Sequence, residues 1–155
     1  MDYRKEYEKW LASPALSEDE RTELKALEGN DKEIKARFYG PLEFGTAGLR
    51  GTMYTGLHNM NRHVIRWATQ GFANVIRAEG EEAMKKGVAV CMDCRNHSAE
   101  FARETACVMA ANGIHVRLFE SLRPTPELSF AVREYGCQAG VNVTASHNPK
   151  EYNGY

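Results

Sequence analysis

Val88-Ala89-Val90-Cys91-Met92, Ile114-His115-Val116-Arg117-Leu118-Phe119 and Ala139-Gly140-Val141-Asn142-Val143 are three short runs dense in apolar residues. Between the first two, Ser98 is placed to cap a helix carrying Phe101, Ala102, Thr105, Val108 and Met109, which Gly113 would close. Between the second and third, Thr125-Pro126 opens another helix with proline in its first turn, and Gly136 ends it. Strand, helix, strand, helix, strand at this spacing predicts βαβ units. The expected fold is α/β: a three-layer α/β/α domain on a mostly parallel mixed sheet.

Upstream, Asn61 can cap a helix whose apolar positions Val64, Trp67, Ala68, Phe72, Val75 and Ile76 recur at helical spacing. Gly80 to Gly87 reads as a charged surface turn. A glycine-rich segment, Phe44 to Gly51, precedes this helix. The first 40 residues form a helical preface. Tyr3, Tyr7, Trp10 and Leu11 make a stripe on one helix, Ser13-Pro14 breaks it, and Ser17 with Glu20 has capping-box spacing for the second. A third short helix covers Lys32 to Phe38. Trp10 and Trp67 lie on helical stripes and read as core. The expected organisation is a helical extension over 1–40 and a single α/β unit over 41–155.

The chain has 155 residues, 43% of them hydrophobic, and a formal net charge of −1. That balance argues against nucleic acid or an anionic membrane as partner. No apolar run approaches the roughly 20 residues that span a bilayer, and the start lacks a signal-peptide core, so a cytoplasmic setting is expected. Cys91 and Cys94 form a C-x-x-C, but strand residues three apart point to opposite faces. The two thiols should not converge, and no second C-x-x-C completes a zinc site. Ordinary reduced thiols are expected. No G-x-x-x-x-G-K-[ST] phosphate loop occurs.

The third strand runs straight into Thr144-Ala145-Ser146-His147-Asn148-Pro149. Ligands in open α/β sheets bind at the carboxyl ends of strands, which places Ser146 where function usually sits. Asn148-Pro149 restrains the loop, because a residue before proline avoids the helical region. Thr144, Ser146, His147 and Asn148 supply hydroxyl, imidazole and amide groups that suit an anion or a covalently held phosphate. From the residues alone, a solvated turn is the commoner reading of such a loop.

Thr144-Ala145-Ser146-His147-Asn148-Pro149, continued by Asn153-Gly154-Tyr155, resembles the active-site signature of the α-D-phosphohexomutases. Phe44-Gly45-Thr46-Ala47-Gly48-Leu49-Arg50-Gly51 resembles that family's first loop. Asp93-Cys94-Arg95 with Ser98 is similar to its Asp-x-Arg-x-x-Ser element, and Arg123-Pro124-Thr125-Pro126 to its third. The resemblance runs from about Leu42 to Tyr155 and is greatest toward the phosphoglucomutase/phosphopentomutase branch, within a superfamily that also holds the phosphomannomutases.

The resemblance implies that Ser146 carries a phosphate, gives it to the free hydroxyl of a sugar monophosphate, and takes the other phosphate back from the resulting bisphosphate. Phosphoserine carries about −1.5 to −2 charge at neutral pH, and Arg50 can meet that charge with bidentate geometry. The implied cofactors are Mg²⁺, held through the Ser146 phosphate, and glucose 1,6-bisphosphate as activator. Thr144 and Asn148 would belong to the phosphate loop. His147 has two open readings: it orients the phosphoserine or assists proton movement, or it only bonds the loop into shape. Arg95 and Arg123 read as residues that tie loops together. His58, His63, His97 and His115 read as surface or packing residues.

The family's acidic Asp-x-Asp-x-Asp metal loop is not found in this sequence, nor are the sugar-reading and distal phosphate loops of its later domains. The signature's lysine would follow Tyr155, so the chain reads as domain I truncated at its C-terminal end, with phosphosugar and the remaining domains as its partners. The isolated chain is expected to be inactive. The alternative is a non-catalytic fragment that binds a phosphosugar or a partner chain.

Overall fold

The computed structural model describes residues 1–155. Asp2 caps the first helix, α1 (Tyr3–Leu11), by accepting from the Arg4 and Lys5 N–H groups. The capping box at Ser17 and Glu20 forms in full and opens α2 (Glu18–Lys25). Asn30 caps α3 (Asp31–Phe38) through Glu33 N–H. Each cap satisfies donors that the first helical turn leaves without partners. These helices enclose a core of their own, made by Tyr7, Leu16, Leu24, Leu27, Ile34, Phe38 and, from beyond the helices, Leu57. Tyr7 and Trp10 both meet the Phe38 ring edge-on, at 5.6 and 5.7 Å. Trp10 is half-buried at the border of this core.

A short strand, β1 (Arg50–Thr52), leads to α4 (Arg62–Ala78), capped by Asn61 through His63 and Val64 N–H. Val64, Ile65, Thr69, Ala73 and Ile76 form the buried face of α4. Trp67 and Val75 are exposed, at 59% and 55%, so the stripe is rotated from the one expected and Trp67 is not core. Both side chains line an apolar groove instead. The expected turn between Gly80 and Gly87 contains a short helix, α5 (Glu81–Lys86), with acidic residues in its first turn and lysines in its last. That order of charge suits the helix dipole.

The sheet follows: β2 (Val88–Met92), α6 (Ser98–Ala111), β3 (Val116–Leu118), α7 (Thr125–Glu134) and β4 (Ala139–Val143). Strand order is β3-β2-β4, with both pairings parallel and Val88 level with Val116 and Ala139. The last strand, β5 (Tyr152–Gly154), pairs antiparallel with β1 outside this sheet. The antiparallel element is thus a separate ribbon, and the three-stranded sheet is wholly parallel.

All five β2 residues are buried, as in a strand covered on both faces. Val88, Val90 and Met92 pack toward α4 and α6 in the main core. Ala89 and Cys91 pack against Leu128 of α7. This is the three-layer arrangement. The four cysteines are free; Cys91 is buried in β2, whereas Cys94 lies in the bend past the strand's end and is exposed. Burial pushes the Cys91 thiol up, the direction of an inert thiol. No helix is long and apolar enough to cross a membrane.

Candidate active site

β4 ends at Val143, and the chain turns at once. Thr144 N–H donates to the Gly154 carbonyl at 3.1 Å, and Asn148 N–H to the Ala145 carbonyl at 3.0 Å. Ala145 is fully buried and anchors the loop, while Ser146 and His147 are exposed. Ser146 has φ 55°, in the left-handed region. Residues other than glycine visit that region at a cost of about 1–2 kcal/mol, so neighbouring contacts must hold it there.

Ser146 N–H donates to Thr144 Oγ1 at 3.0 Å, and that hydroxyl donates to Asp93 Oδ2 at 2.6 Å. Asp93 lies just past β2, at the same end of the sheet. Its Oδ1 accepts from Ser98 Oγ at 2.7 Å and from Arg95 N–H at 2.9 Å. Ser98 therefore does not cap α6 as expected. His97 occupies the cap position with φ 61° and gives no side-chain cap bond. The carboxylate is the stronger acceptor for the Ser98 hydroxyl.

The Arg95 guanidinium reaches across to the serine loop. Nη2 donates to the carbonyls of Ser146 (2.9 Å) and Asn148 (2.7 Å). Nη1 donates to those of Pro149 (2.9 Å) and Tyr152 (3.0 Å). Its reading as a loop-tying residue holds. The Arg123 guanidinium, by contrast, bonds only within its own segment, to Ser121, Leu122 and Glu127, while its backbone N–H donates to the Met92 carbonyl at 3.1 Å and its carbonyl faces Cys91 Sγ at 3.2 Å.

Arg50 enters from β1 and donates to Asn148 Oδ1 at 3.1 Å. The β1–β5 ribbon carries it there. Leu49 and Tyr155 exchange backbone bonds at 3.0 Å each way. Gly48 sits beside this pair at φ 91°, where a Cβ would collide with the Tyr155 carbonyl oxygen. His147 Nδ1 lies 3.4 Å from Ser146 Oγ, a long contact.

Ser146, His147, Thr144, Asn148 and Arg50 thus share one site. Asp93, Ser98 and Asn153 also belong to its framework and were not among the expected site residues. Asn153 is fully buried and donates to Ser98 Oγ at 3.0 Å and the Asn96 carbonyl at 2.9 Å. The signal for Asp93 and Ser98 was the Asp-x-Arg-x-x-Ser spacing at the end of β2, and that for Asn153 the Asn153-Gly154-Tyr155 run. No group of three or more His, Cys, Asp or Glu residues is placed to hold a metal ion. Asp93 spends its carboxylate on Thr144, Ser98 and Arg95.

The apolar groove of about 660 Å³ lies elsewhere, between α4 and the free side of β4. Leu42, Phe44, Trp67, Phe72 and Tyr155 line it, and no residue from Thr144 to Asn148 does. Burial there pushes the Tyr155 hydroxyl up to about 12.

Residues 41–155 match the family model described as "Phosphoglucomutase/phosphomannomutase, alpha/beta/alpha domain I". The chain is 40% identical over 134 residues to a phosphopentomutase of Homo sapiens, covering 83% of this chain and 22% of that protein. It is 40% identical over 125 residues to a phosphoglucomutase of Staphylococcus aureus (strain USA300), covering 81% and 22%. It is 34% identical over 152 residues to a phosphomannomutase of Mycoplasma pneumoniae, covering 97% and 27%. Among solved structures, a phosphomannomutase candidate from Thermus thermophilus superimposes with a TM-score of 0.66 at 32% identity, covering 74% of this chain and 25% of that one. The chain spans about a quarter of the length of the curated relatives it matches.

Proposed function

The chain belongs to the phosphoglucomutase/phosphomannomutase family, and from that premise we propose that it is the phosphoserine-bearing part, domain I over 41–155 with a helical extension over 1–40, of a phosphosugar mutase. The observation that carries this reading is Ser146, an exposed residue at the carboxyl end of a parallel strand, on a loop whose Ser146 carbonyl is bonded by Arg95 and whose Asn148 side chain is bonded by Arg50. In the first half-reaction the bond between phosphorus and Ser146 Oγ breaks as the free hydroxyl oxygen of a sugar monophosphate bonds to phosphorus. The hydroxyl proton leaves that oxygen, and Ser146 Oγ gains one. His147 is the imidazole in reach of Oγ. The second half-reaction reverses these steps from the other phosphate of the sugar bisphosphate. Arg50 and the polar loop favour the charge spread over the transferring group, because such transition states are served by positioning and positive charge.

Mg²⁺, when bound, would offset phosphate charge. From this chain it would have only the oxygens on Ser146, since no acidic cluster accompanies them. The residues present therefore do not make a metal site by themselves, and the chemistry above does not pass through one. Glucose is the favoured sugar, as a 1- and 6-phosphate pair, with glucose 1,6-bisphosphate as phosphate donor. Pentose and mannose relatives match this chain comparably. The free cysteines support a cytoplasmic setting.

A second reading is that this polypeptide binds phosphosugar or a partner chain without turnover. Serine labelling separates the readings, and a turnover assay tests the inactivity expected of the chain alone under both. Incubation with glucose 1,6-bisphosphate and Mg²⁺ should place phosphate on Ser146 and not on Ser98, Ser121 or Ser129, and Ser146→Ala should abolish it with the thermal melt unchanged. A coupled assay with glucose 1-phosphate and trace bisphosphate should show no sustained turnover by the 155-residue chain. Phosphate mapped to another serine would sink the assignment of Ser146. Normal turnover would remove the second reading.

A further inference from the structure

We propose that Asp93 and Arg95 are positioning residues for phosphoryl transfer: together they hold Ser146 in its left-handed conformation and so set the direction of its hydroxyl. This role rests on Ser146 being the phosphate carrier. Neither residue need touch the sugar, since both act through the main chain of the loop.

Two supports converge on Ser146 from opposite sides of its Cα. On the amide side, Asp93 accepts from Thr144 Oγ1, which leaves that hydroxyl's lone pairs to receive the Ser146 N–H. On the carbonyl side, Arg95 Nη2 takes the Ser146 oxygen directly. Fixing the two peptide groups that flank a residue fixes its φ and ψ, because peptide planes are rigid. The supports are also joined to each other. Asp93 accepts from the Arg95 N–H at 2.9 Å and stands 3.4 Å from its Nε. The chain 93–95 is thereby folded into one bracket at the end of β2. Ser98 and buried Asn153 brace the carboxylate from behind.

The geometry has a second effect. In a trans peptide the C=O and the following N–H point in opposite directions. With the Ser146 carbonyl drawn onto Arg95, the His147 N–H points away from Arg95, and it donates to no acceptor within the protein. The next residue whose N–H would be turned out by an Arg95-bound carbonyl, after Asn148, is Pro149, which has none. A planar guanidinium reaching four carbonyls is a task for arginine. A lysine ammonium is a point charge with three donors and cannot reproduce the fork.

The test uses the 155-residue chain and its Arg95→Gln, Arg95→Lys and Asp93→Asn variants. Backbone NMR would read the left-handed signature of Ser146 from its Cα and Cβ shifts and its HN–Hα coupling. Phosphate incorporation from glucose 1,6-bisphosphate with Mg²⁺ would read the chemistry, and a thermal melt the fold. Both Arg95 variants should lose the left-handed signature while remaining folded. Their maximal labelling rate should fall about tenfold to a hundredfold, the scale of a small misplacement of a reacting group, at an unchanged half-saturating bisphosphate concentration. Lysine should rescue no better than glutamine, and Asp93→Asn should shift both readouts the same way. Persistence of the signature and the labelling rate in Arg95→Gln would overturn the proposal. So would a loss of labelling no larger than the unfolded fraction. If the unsubstituted chain takes no phosphate on Ser146, the mutase reading fails and the catalytic half of the role with it. The NMR arm then still decides whether the bracket sets the backbone.

Discussion

Arg37 and Arg95 are both largely withdrawn from solvent and both knit distant segments, yet they hold different things. Arg37, on α3, bonds the carboxylates of Glu33 and Glu23, approaches the Thr55 carbonyl, and lies 4.4 Å over the Tyr54 ring. Glu23 in turn takes the Thr55 N–H and hydroxyl. Arg95 spends its guanidinium on four main-chain carbonyls. The first hub ties side chains and so fixes one helix against another. The second ties backbone and so fixes a conformation. An ion-pair hub can in principle be replaced by well-packed apolar groups. A carbonyl hub cannot, because the carbonyls remain and would lose their partners.

The largest expected effect breaks the serine region without touching either arginine. Gly48→Ala adds left-handed strain and a collision with the Tyr155 carbonyl where β1 and β5 join. Strain of about 1–2 kcal/mol and overpacking of about 1–3 kcal/mol predict a loss of about 3 kcal/mol in urea unfolding. Amide exchange should quicken at Leu49 and Tyr155 first, with the cluster around Phe38 still protected. Equal loss of protection in α1 to α3 would show that the two regions are not separable.

A smaller effect is expected on the other side of the comparison. Arg37→Ala should cost about 2–3 kcal/mol, below the range for fully buried pairs because Glu23 and Glu33 keep a third or more of their side chains exposed. Arg37→Met should recover part of that loss by packing on Tyr54, while Ser146 resonances stay in place. A Met variant no better than Ala would mean that this hub, too, depends on its hydrogen bonds.

The smallest effect concerns the joint between α2 and α4. Glu20 accepts from Arg62 and faces His63, whose ring lies 5.5 Å from Trp10. Burial holds the His63 imidazole below its ordinary value, although Glu20 opposes this. Burial would raise Glu20, but the Ser17 N–H, Arg62 and His63 together bring it below the usual range. Both groups are thus lowered in the folded state. Their stabilisation is complete above the unfolded values, 6.5 and 4.5, and fades as pH falls through the folded ones. Acid should therefore loosen the helical extension first, by about 1 kcal/mol or less from each group. Trp10 fluorescence would follow it, and His63→Gln should flatten the change just below pH 6.5. An unchanged slope in that variant would assign the transition to other groups.

Local chemistry explains what could be read from the chain alone. The capping residues Ser17, Glu20 and Asn61 act on amides within three positions, so their spacing is itself the signal. The three strands and their intervening helices are legible for the same reason, as is the loop bearing Ser146 at the end of β4. The charged stretch from Glu81 to Lys86 was misread because two flanking glycines outweighed a helix-forming interior. Trp67 was misread because helical periodicity gives a stripe but not the direction in which the helix is turned. The Asp-x-Arg-x-x-Ser element could be recognised, and Arg95 understood as a tie. Its four carbonyl partners lie more than 50 positions away, and nothing in the spacing names them. The left-handed backbone of Ser146 belongs to the same class. It exists because β2 and β4 are neighbours in the sheet and bring Asp93, Arg95 and Thr144 to one end of it. Pairing across the sheet is a long-range choice made by packing, and short-range pattern carries no record of it.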